Sequence, residues 1–346
     1  MLSVKAKTIV LTLVSAFLLL PGAFADSPTV GAGSGLAGAR YATDAYPGFD
    51  REDEIINPER KEPKWLGFLF GPNRENARDQ LDYCVGLIRE ESYSKAAKQL
   101  DALVREWPTA PEAAKAQHVL AELLLNRLKD TEEAFREYRY LLDFYSLQCD
   151  YSKIADKMYE VAGVLQVEGK EVMFVRFANT VDVRRAYEAC VLHAPGAKWV
   201  PEAMLKIAAL REEDGKYAEA LKVYENLRNL HPGSEEALTA LLRETEVRML
   251  ILEDFGYNRL RCRDTIDFLR MALKYCREGD RPRVQECLEI AKAKLESEAF
   301  LGAKFYDSTT RTKRSAISAY EKYLNEYPEG VHAAEVKARL DQLKGE

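Results

Sequence analysis

The chain has 346 residues, 47 % of them hydrophobic and 31 % charged, with a formal net charge of −6. This mild acidity argues against a nucleic-acid partner, because binding phosphate needs a basic face. Four scattered histidines, with no HExxH, GxSxG or Walker A sequence, argue against an enzyme. No CxxC pair or Cys/His cluster has the spacing of a zinc site, and no cofactor-binding motif is present.

Lys5 and Lys7 precede a short apolar run from Ile9 to Leu20, and Ala23-Phe24-Ala25 follows with the small-x-small pattern of signal-peptidase sites. Residues 1–25 therefore read as a signal peptide, cleaved to leave Asp26 as the mature N-terminus. The apolar run is shorter than the roughly 18 residues a membrane span requires. The first cysteine is Cys84, so a lipoprotein anchor at the cleavage point is not expected. Removing residues 1–25 takes away two lysines and no acids, and the charge moves from −6 to −8. The mature chain is expected to be exported to the periplasm and soluble.

Residues 26–72 have no helical period and read as a flexible leader, rich first in Gly, Ala and Ser and then in charge and proline. Within it, Trp65-Leu66-Gly67-Phe68-Leu69-Phe70 has two readings: a cover for the open end of the first helix pair, or a segment that docks into a partner.

From residue 73 onward, helical periodicity is continuous. Asn73 to Arg89 and Tyr93 to Glu106 form a first pair, with Ala96, Leu100, Leu103 and Pro108 on the second helix. Thr109 and Glu112 make a capping-box pattern for a helix to about Arg127, and Asp130 with Glu133 starts its partner, carrying Ala134, Tyr138 and Leu141. Tyr151 to Glu168 opens a third pair, interrupted by an insertion from Gly169 to Phe177 before a helix that reaches Pro195. The fourth pair carries Gly215, Tyr217, Ala220, Tyr224, Leu227 and Pro232, followed by Ser234 as an N-cap. Glu235 to about Leu252 and Leu260 to Cys276 form a fifth pair around a Phe255–Asn258 bend. Arg283 to Tyr306 and Thr312 to Tyr327 form the last pair, with Ala316, Tyr320, Tyr323 and Pro328. A final short helix with Val336, Leu340 and Leu343 on one side reads as a cap.

The spacing in the fourth pair is the tetratricopeptide signature. Ala at 96, 134, 220 and 316 lets paired helices approach closely, and the large residue four positions later stands on the same face. The expected fold is all-α: an α-solenoid of tetratricopeptide-type helix pairs with a C-terminal capping helix. It occupies residues 73–346, with repeats near 75–108, 111–146, 150–195, 199–232, 235–279 and 283–328. A repeat of this kind buries its apolar face only by stacking on neighbours, so the working part is expected to be a surface, elongated and curved, rather than a catalytic cleft.

Six cysteines, at 84, 149, 190, 262, 276 and 287, lie in the mature region. Spacing selects no pairing. Cys276 and Cys287 flank a turn and could staple two helices, but Cys84 and Cys190 occupy small buried positions, and most of the six read as free core thiols.

Three groups of segments carry a family resemblance: Tyr93-Ser94-Lys95-Ala96-Ala97 with Trp107-Pro108; Gly215-Lys216-Tyr217-Ala218-Glu219-Ala220 with His231-Pro232; and Ala303-Lys304-Phe305-Tyr306 with Ala316-Ile317 and Glu326-Tyr327-Pro328. From about Asn73 to the C-terminus, the chain resembles the BamD-like tetratricopeptide family of the bacterial outer-membrane assembly machinery. The resemblance implies a periplasmic scaffold that holds assembly factors and receives unfolded β-barrel precursors. The family's lipid-anchoring cysteine is missing, so attachment to the outer membrane would come through a partner or the leader, with no direct lipid anchor. The other functional class left open is a structural periplasmic scaffold for envelope or division complexes.

If the inner surface binds an extended peptide, its lining comes from the first helix of each pair, at positions facing away from the second. That rule selects Arg78, Arg89, Asn126 and Arg127 as protein-binding candidates, suited to a terminal carboxylate or exposed backbone. The partners expected are proteins or extended peptides, with outer-membrane assembly factors among them, and no small-molecule substrate or nucleic acid.

Overall fold

The recurring Ala and Leu/Tyr positions each generate a helix with one buried stripe. The computed structural model describes residue 49 and residues 71–171, 180–254, 259–309 and 313–345. The signal peptide, the Trp65–Phe70 segment and nearly all of the rest of the leader, most of the insertion after the third pair's first helix, and the Phe255–Asn258 bend lie outside the described residues.

Thirteen α-helices occur among the described residues: α1 Ala77–Arg89, α2 Tyr93–Glu106, α3 Ala113–Leu123, α4 Thr131–Phe144, α5 Tyr151–Glu171, α6 Thr180–His193, α7 Val200–Glu213, α8 Tyr217–Leu230, α9 Glu235–Asp254, α10 Arg259–Tyr275, α11 Arg281–Thr309, α12 Lys313–Glu326 and α13 Ala333–Gly345. The chain divides into two units, Met1–Lys206 and Ile207–Glu346. In the first, each helix from α1 to α6 packs on the next. In the second, α8 to α13 do the same, and the first helices of successive pairs, α9 and α11, also touch. This is the expected all-α, helix-pair architecture. α13 closes it by burying Val336, Leu340 and Leu343 against Phe300, Tyr320 and Tyr323.

The small residue of each second helix lies at the closest approach. Ala96, Ala134 and Ala220 have no exposed surface, nor do Leu103, Leu141 and Leu227 on the same stripe. A larger side chain at Ala220 has nowhere to go, so Ala220→Leu is expected to cost about 1–3 kcal/mol by overpacking. Thermal denaturation followed by circular dichroism checks this, and an unchanged midpoint would mean the register is wrong.

Polar groups bolt the pairs internally. Tyr138 donates its hydroxyl to Glu122 of α3, Tyr187 to Gln166 of α5 (2.8 Å), Tyr224 to Glu212 of α7 and Tyr320 to Asp307 of α11 (3.1 Å). Each bond runs from the second helix of a pair back to the first. In the first two pairs a buried glutamine of the first helix adds a clamp. Gln80 Nε2 donates to Gln99 Oε1 (2.7 Å) and to the Gln99 carbonyl (3.2 Å), and Gln117 Nε2 donates to Glu137 Oε2 (2.5 Å) and to the Glu137 carbonyl (2.9 Å). The Gln80 side-chain Oε1 also accepts from the backbone N–H of Asn73 and of Arg74, which ties the chain's entry to the first pair.

Helix starts follow local chemistry, with two departures from the sequence reading. Asp130 caps α4 through Glu133 N (3.1 Å), and Ser234 caps the turn before Ala237 (3.1 Å), as expected. α1 begins at Ala77, capped by Asn76, rather than at Asn73. The Thr109/Glu112 box does not form: the chain turns through Ala110, and α3 begins at Ala113 with Glu112 already helical and making no side-chain cap. Gly215 turns the chain at φ +71°, where glycine is unstrained, and in the first two pairs Glu91 (φ 60°) and Lys129 (φ 57°) take left-handed conformations instead. α3 ends in a single π-helical turn, Leu124–Leu128. All six cysteines are free thiols, and no Cys276–Cys287 staple forms. Burial pushes the Cys84 thiol up to about 12.

Three helices of the first unit meet at His193. Its Nε2 lies 3.3 Å from Asp143 Oδ1 of α4, and the Tyr151 hydroxyl of α5 lies 3.2 Å from its Nδ1 while donating to its carbonyl (2.9 Å). Burial holds His193 below the usual imidazole range, against the attraction of Asp143 and helped by Arg139. Burial also lowers His118 and His231. Unfolded imidazoles take up protons near pH ~6.5, before the folded ones do, so stability present above that pH is lost as pH falls through it. Asp143 is pushed up by burial, and its contribution runs the other way. Urea midpoints are expected to drop as pH falls from about 7 to below 6, and His193→Gln should flatten that slope. An equal slope in the variant would remove His193 as a cause.

Candidate functional site

The first helices of the third and fourth pairs, α5 and α7, bring two sets of residues together at helical spacing: Asp156, Tyr159 and Glu160 on α5, and Trp199, just before α7, with Glu202 and Lys206 on it. The Tyr159 and Trp199 rings stack with centroids 4.6 Å apart and planes 4° apart. Trp199 Nε1 donates to Asp156 Oδ1 at 2.7 Å, which fixes the indole edge. Lys206 Nζ donates to the Tyr159 hydroxyl at 2.9 Å, lies 4.8 Å from the Tyr159 ring centroid and 5.2 Å from that of Tyr187, and pairs with Glu202 at 2.8 Å. Lys157 pairs with Glu160 at 3.0 Å beside it.

The charges follow from these contacts. The Lys206 hydrogen bond holds Glu202 below the usual carboxylate range, and burial, followed by the Glu202 charge, pushes the Tyr159 phenol up. Tyr159 therefore stays protonated near neutrality, and the cluster offers ring faces and fixed hydrogen-bonding groups rather than proton transfer. The rings are half-buried while Asp156, Glu160 and Glu202 are exposed. An apolar platform with a polar rim is suited to holding an extended chain.

The four residues selected from the sequence lie on α1 and in the turn that ends α3. Arg78 and Arg89 are exposed on α1, separated by about 16 Å of helix axis. Asn126 is exposed and donates to Glu122 of its own helix at 2.6 Å. Arg127 lies in the π turn and stacks over the Tyr93 ring of α2, 5.4 Å from its centroid. It is drawn toward the second helix of the preceding pair rather than onto the open face. The Tyr159/Trp199 platform was missed, although its signal was present: an aromatic in one first helix and another at the entry to the next, 40 residues apart.

Residues 202–234 match the tetratricopeptide repeat family model. Among curated proteins, tetratricopeptide repeat protein 29 of Mus musculus is 26 % identical over 210 residues, covering 57 % of this chain and 42 % of the mouse protein. The chain thus spans less than half the length of that relative. Similar solved structures include a tetratricopeptide repeat protein from Parabacteroides merdae (14 % identity, 78 % of this chain and 98 % of that one, TM-score 0.27). PilF of Pseudomonas aeruginosa is another (15 %, 76 % and 97 %, TM-score 0.25). A third is the C-terminal part of a repeat-containing protein from Cytophaga hutchinsonii (13 %, 88 % and 99 %, TM-score 0.29). At these scores the fold assignment rests on the chain's own helices. The matched repeat, set among helix pairs of the same build, supports a tetratricopeptide repeat protein, a class that suggests a protein-interaction scaffold.

Proposed function

We propose that this chain is an exported, non-catalytic scaffold of the periplasm that binds extended segments of other proteins on its first-helix face and serves outer-membrane protein assembly. The observation that carries the binding part is the Tyr159/Trp199 platform with its rim of fixed charges. The periplasmic location is supported by the Lys5/Lys7, apolar run and Ala23-Phe24-Ala25 pattern, and the assembly role by the segments that resemble the BamD-like family. Unfolded β-barrel precursors are the proposed clients, with assembly factors as standing partners.

A photocrosslinker placed at Glu160, on the exposed rim of the platform, tests this in cells. β-barrel proteins and their assembly factors among the adducts are the expected result, whereas peptidoglycan enzymes would move the chain to envelope or division scaffolding. Trp199→Ala is expected to weaken client capture by about 2 kcal/mol, near thirtyfold, as loss of a central aromatic anchor does. Fluorescence anisotropy of a labelled precursor peptide measures it, with far-UV circular dichroism confirming an intact fold, and undiminished affinity would discard the platform. A charge reversal at Arg89 that leaves binding intact would likewise remove Arg89 from the candidates.

A further inference from the structure

The two rings of the platform differ in what already sits on them. Tyr159 has Trp199 stacked on it, Tyr187 tilted against it at 5.8 Å and the Lys206 ammonium 4.8 Å from its centroid. Trp199 is half-buried, has Tyr159 on one face and Asp156 at its Nε1 edge, and among the described residues no other ring or cation is set on the indole. The chain's own cation thus lies against the tyrosines, while the ring that attracts cations most strongly has none. The carboxylates beside it are unequal too. Glu160 is paired with Lys157 at 3.0 Å and Glu202 with Lys206 at 2.8 Å, so those charges are largely cancelled. Asp156 is exposed, accepts the indole N–H through Oδ1, and among the described residues pairs with no cation. An uncancelled carboxylate therefore stands at the edge of the indole. Lys198, exposed and next to Trp199 in sequence, opposes it.

We propose that the platform selects client segments by an arginine, stacked on the indole of Trp199 and paired with Asp156; this rests on the platform being the client-binding face and adds the chemistry that it reads. An indole with a carboxylate at its edge suits a guanidinium, a planar and weakly hydrated cation that lies on a ring and donates to an acid in its own plane at the same time. A lysine ammonium carries the same charge but is compact and strongly hydrated, so it gains less from the ring. An apolar side chain uses the ring alone, and an acidic one is repelled by Asp156.

Fluorescence anisotropy of the full chain with short labelled peptides, uncharged except at one central position, tests the proposal. Arginine at that position is expected to bind about fivefold tighter than norleucine, with lysine between them. Asp156→Asn, which keeps an acceptor for the indole N–H, should cut that preference to about twofold or less, Lys198→Ala should widen it, and ~1 M salt should shrink it. Circular dichroism of each variant secures the fold. Equal affinity for arginine and norleucine, a preference for glutamate, or an arginine preference that survives both Trp199→Ala and Asp156→Asn overturns the proposal. Failure of the wider reading is distinct: if Trp199→Ala leaves precursor binding intact, the platform is not the client face and the selection falls with it. Precursor binding that depends on Trp199 while arginine and norleucine peptides bind alike sinks the selection alone.

Discussion

Replacing Glu244 with alanine is expected to destabilise the second unit by about 3–5 kcal/mol, among the largest effects available in this chain. Glu244 has no exposed surface, and its two oxygens are shared between Arg228 (2.9 and 2.8 Å) and Arg248 (3.0 and 2.7 Å). Phe268 is packed by both guanidiniums, at 5.5 and 4.4 Å from its centroid, so neither arginine can swing into water without giving up the ring. Removing the carboxylate leaves two half-buried cations facing each other. Glu244→Gln should cost less, because burial already pushes the Glu244 carboxyl above its usual range despite both arginines, so the site tolerates a neutral side chain better than a void. Urea unfolding monitored by circular dichroism gives both values, and a loss below about 1 kcal/mol for the alanine variant would show that the arginines re-solvate freely.

The counterpart in the first unit is Glu188. Arg184 and Glu188 form an i,i+4 pair on α6, with Arg184 Nη1 donating to both carboxylate oxygens at 2.7 and 2.9 Å, and their side chains are 2 % and 0 % exposed. Glu188→Ala takes away the carboxylate that accepts two hydrogen bonds from a buried guanidinium and is expected to cost about 3–5 kcal/mol, whereas replacing both with apolar residues of similar volume should be close to neutral. The exposed Arg136–Glu132 pair of α4 is the control: it is 63 % exposed on both sides, and Glu132→Ala should leave the urea midpoint unchanged. If Glu188→Ala behaved like Glu132→Ala, the α6 pair would not be buried as described.

These two sites show where sequence reading stopped. The second helices were legible because close helix approach demands a small residue and the next turn a large one, a demand written directly into Ala134/Tyr138 and Ala220/Tyr224. The last pair and the cap were legible for the same reason. Arg184, Glu188 and Glu244 were not: a charged side chain reads as solvated, and only packing from other helices reveals that it is enclosed. The π turn at Leu124–Leu128 was invisible because Leu, Asn and Arg are ordinary helix residues, and the shift to a wider turn depends on what α2 and α4 offer it. That turn is also why Arg127, placed on the open face by a regular helix period, lies against Tyr93 instead. Trp199 and Tyr159 carry no signal singly, because their relation lies in being stacked across one repeat.

The bonds from Tyr138, Tyr187, Tyr224 and Tyr320 to their first helices have a practical consequence. Burial pushes each of these phenols above its usual ionisation range, well above it for Tyr138, Tyr224 and Tyr320, where a neighbouring carboxylate adds to the effect, and against the pull of Lys206 for Tyr187. In alkali they should remain colourless to the ultraviolet phenolate band until their own helix pair opens. Each of four pairs thus holds a phenol whose ionisation waits on its opening, and the part of the shared phenolate band lost in each single Tyr→Phe variant would reveal whether the array comes apart from one end or all at once.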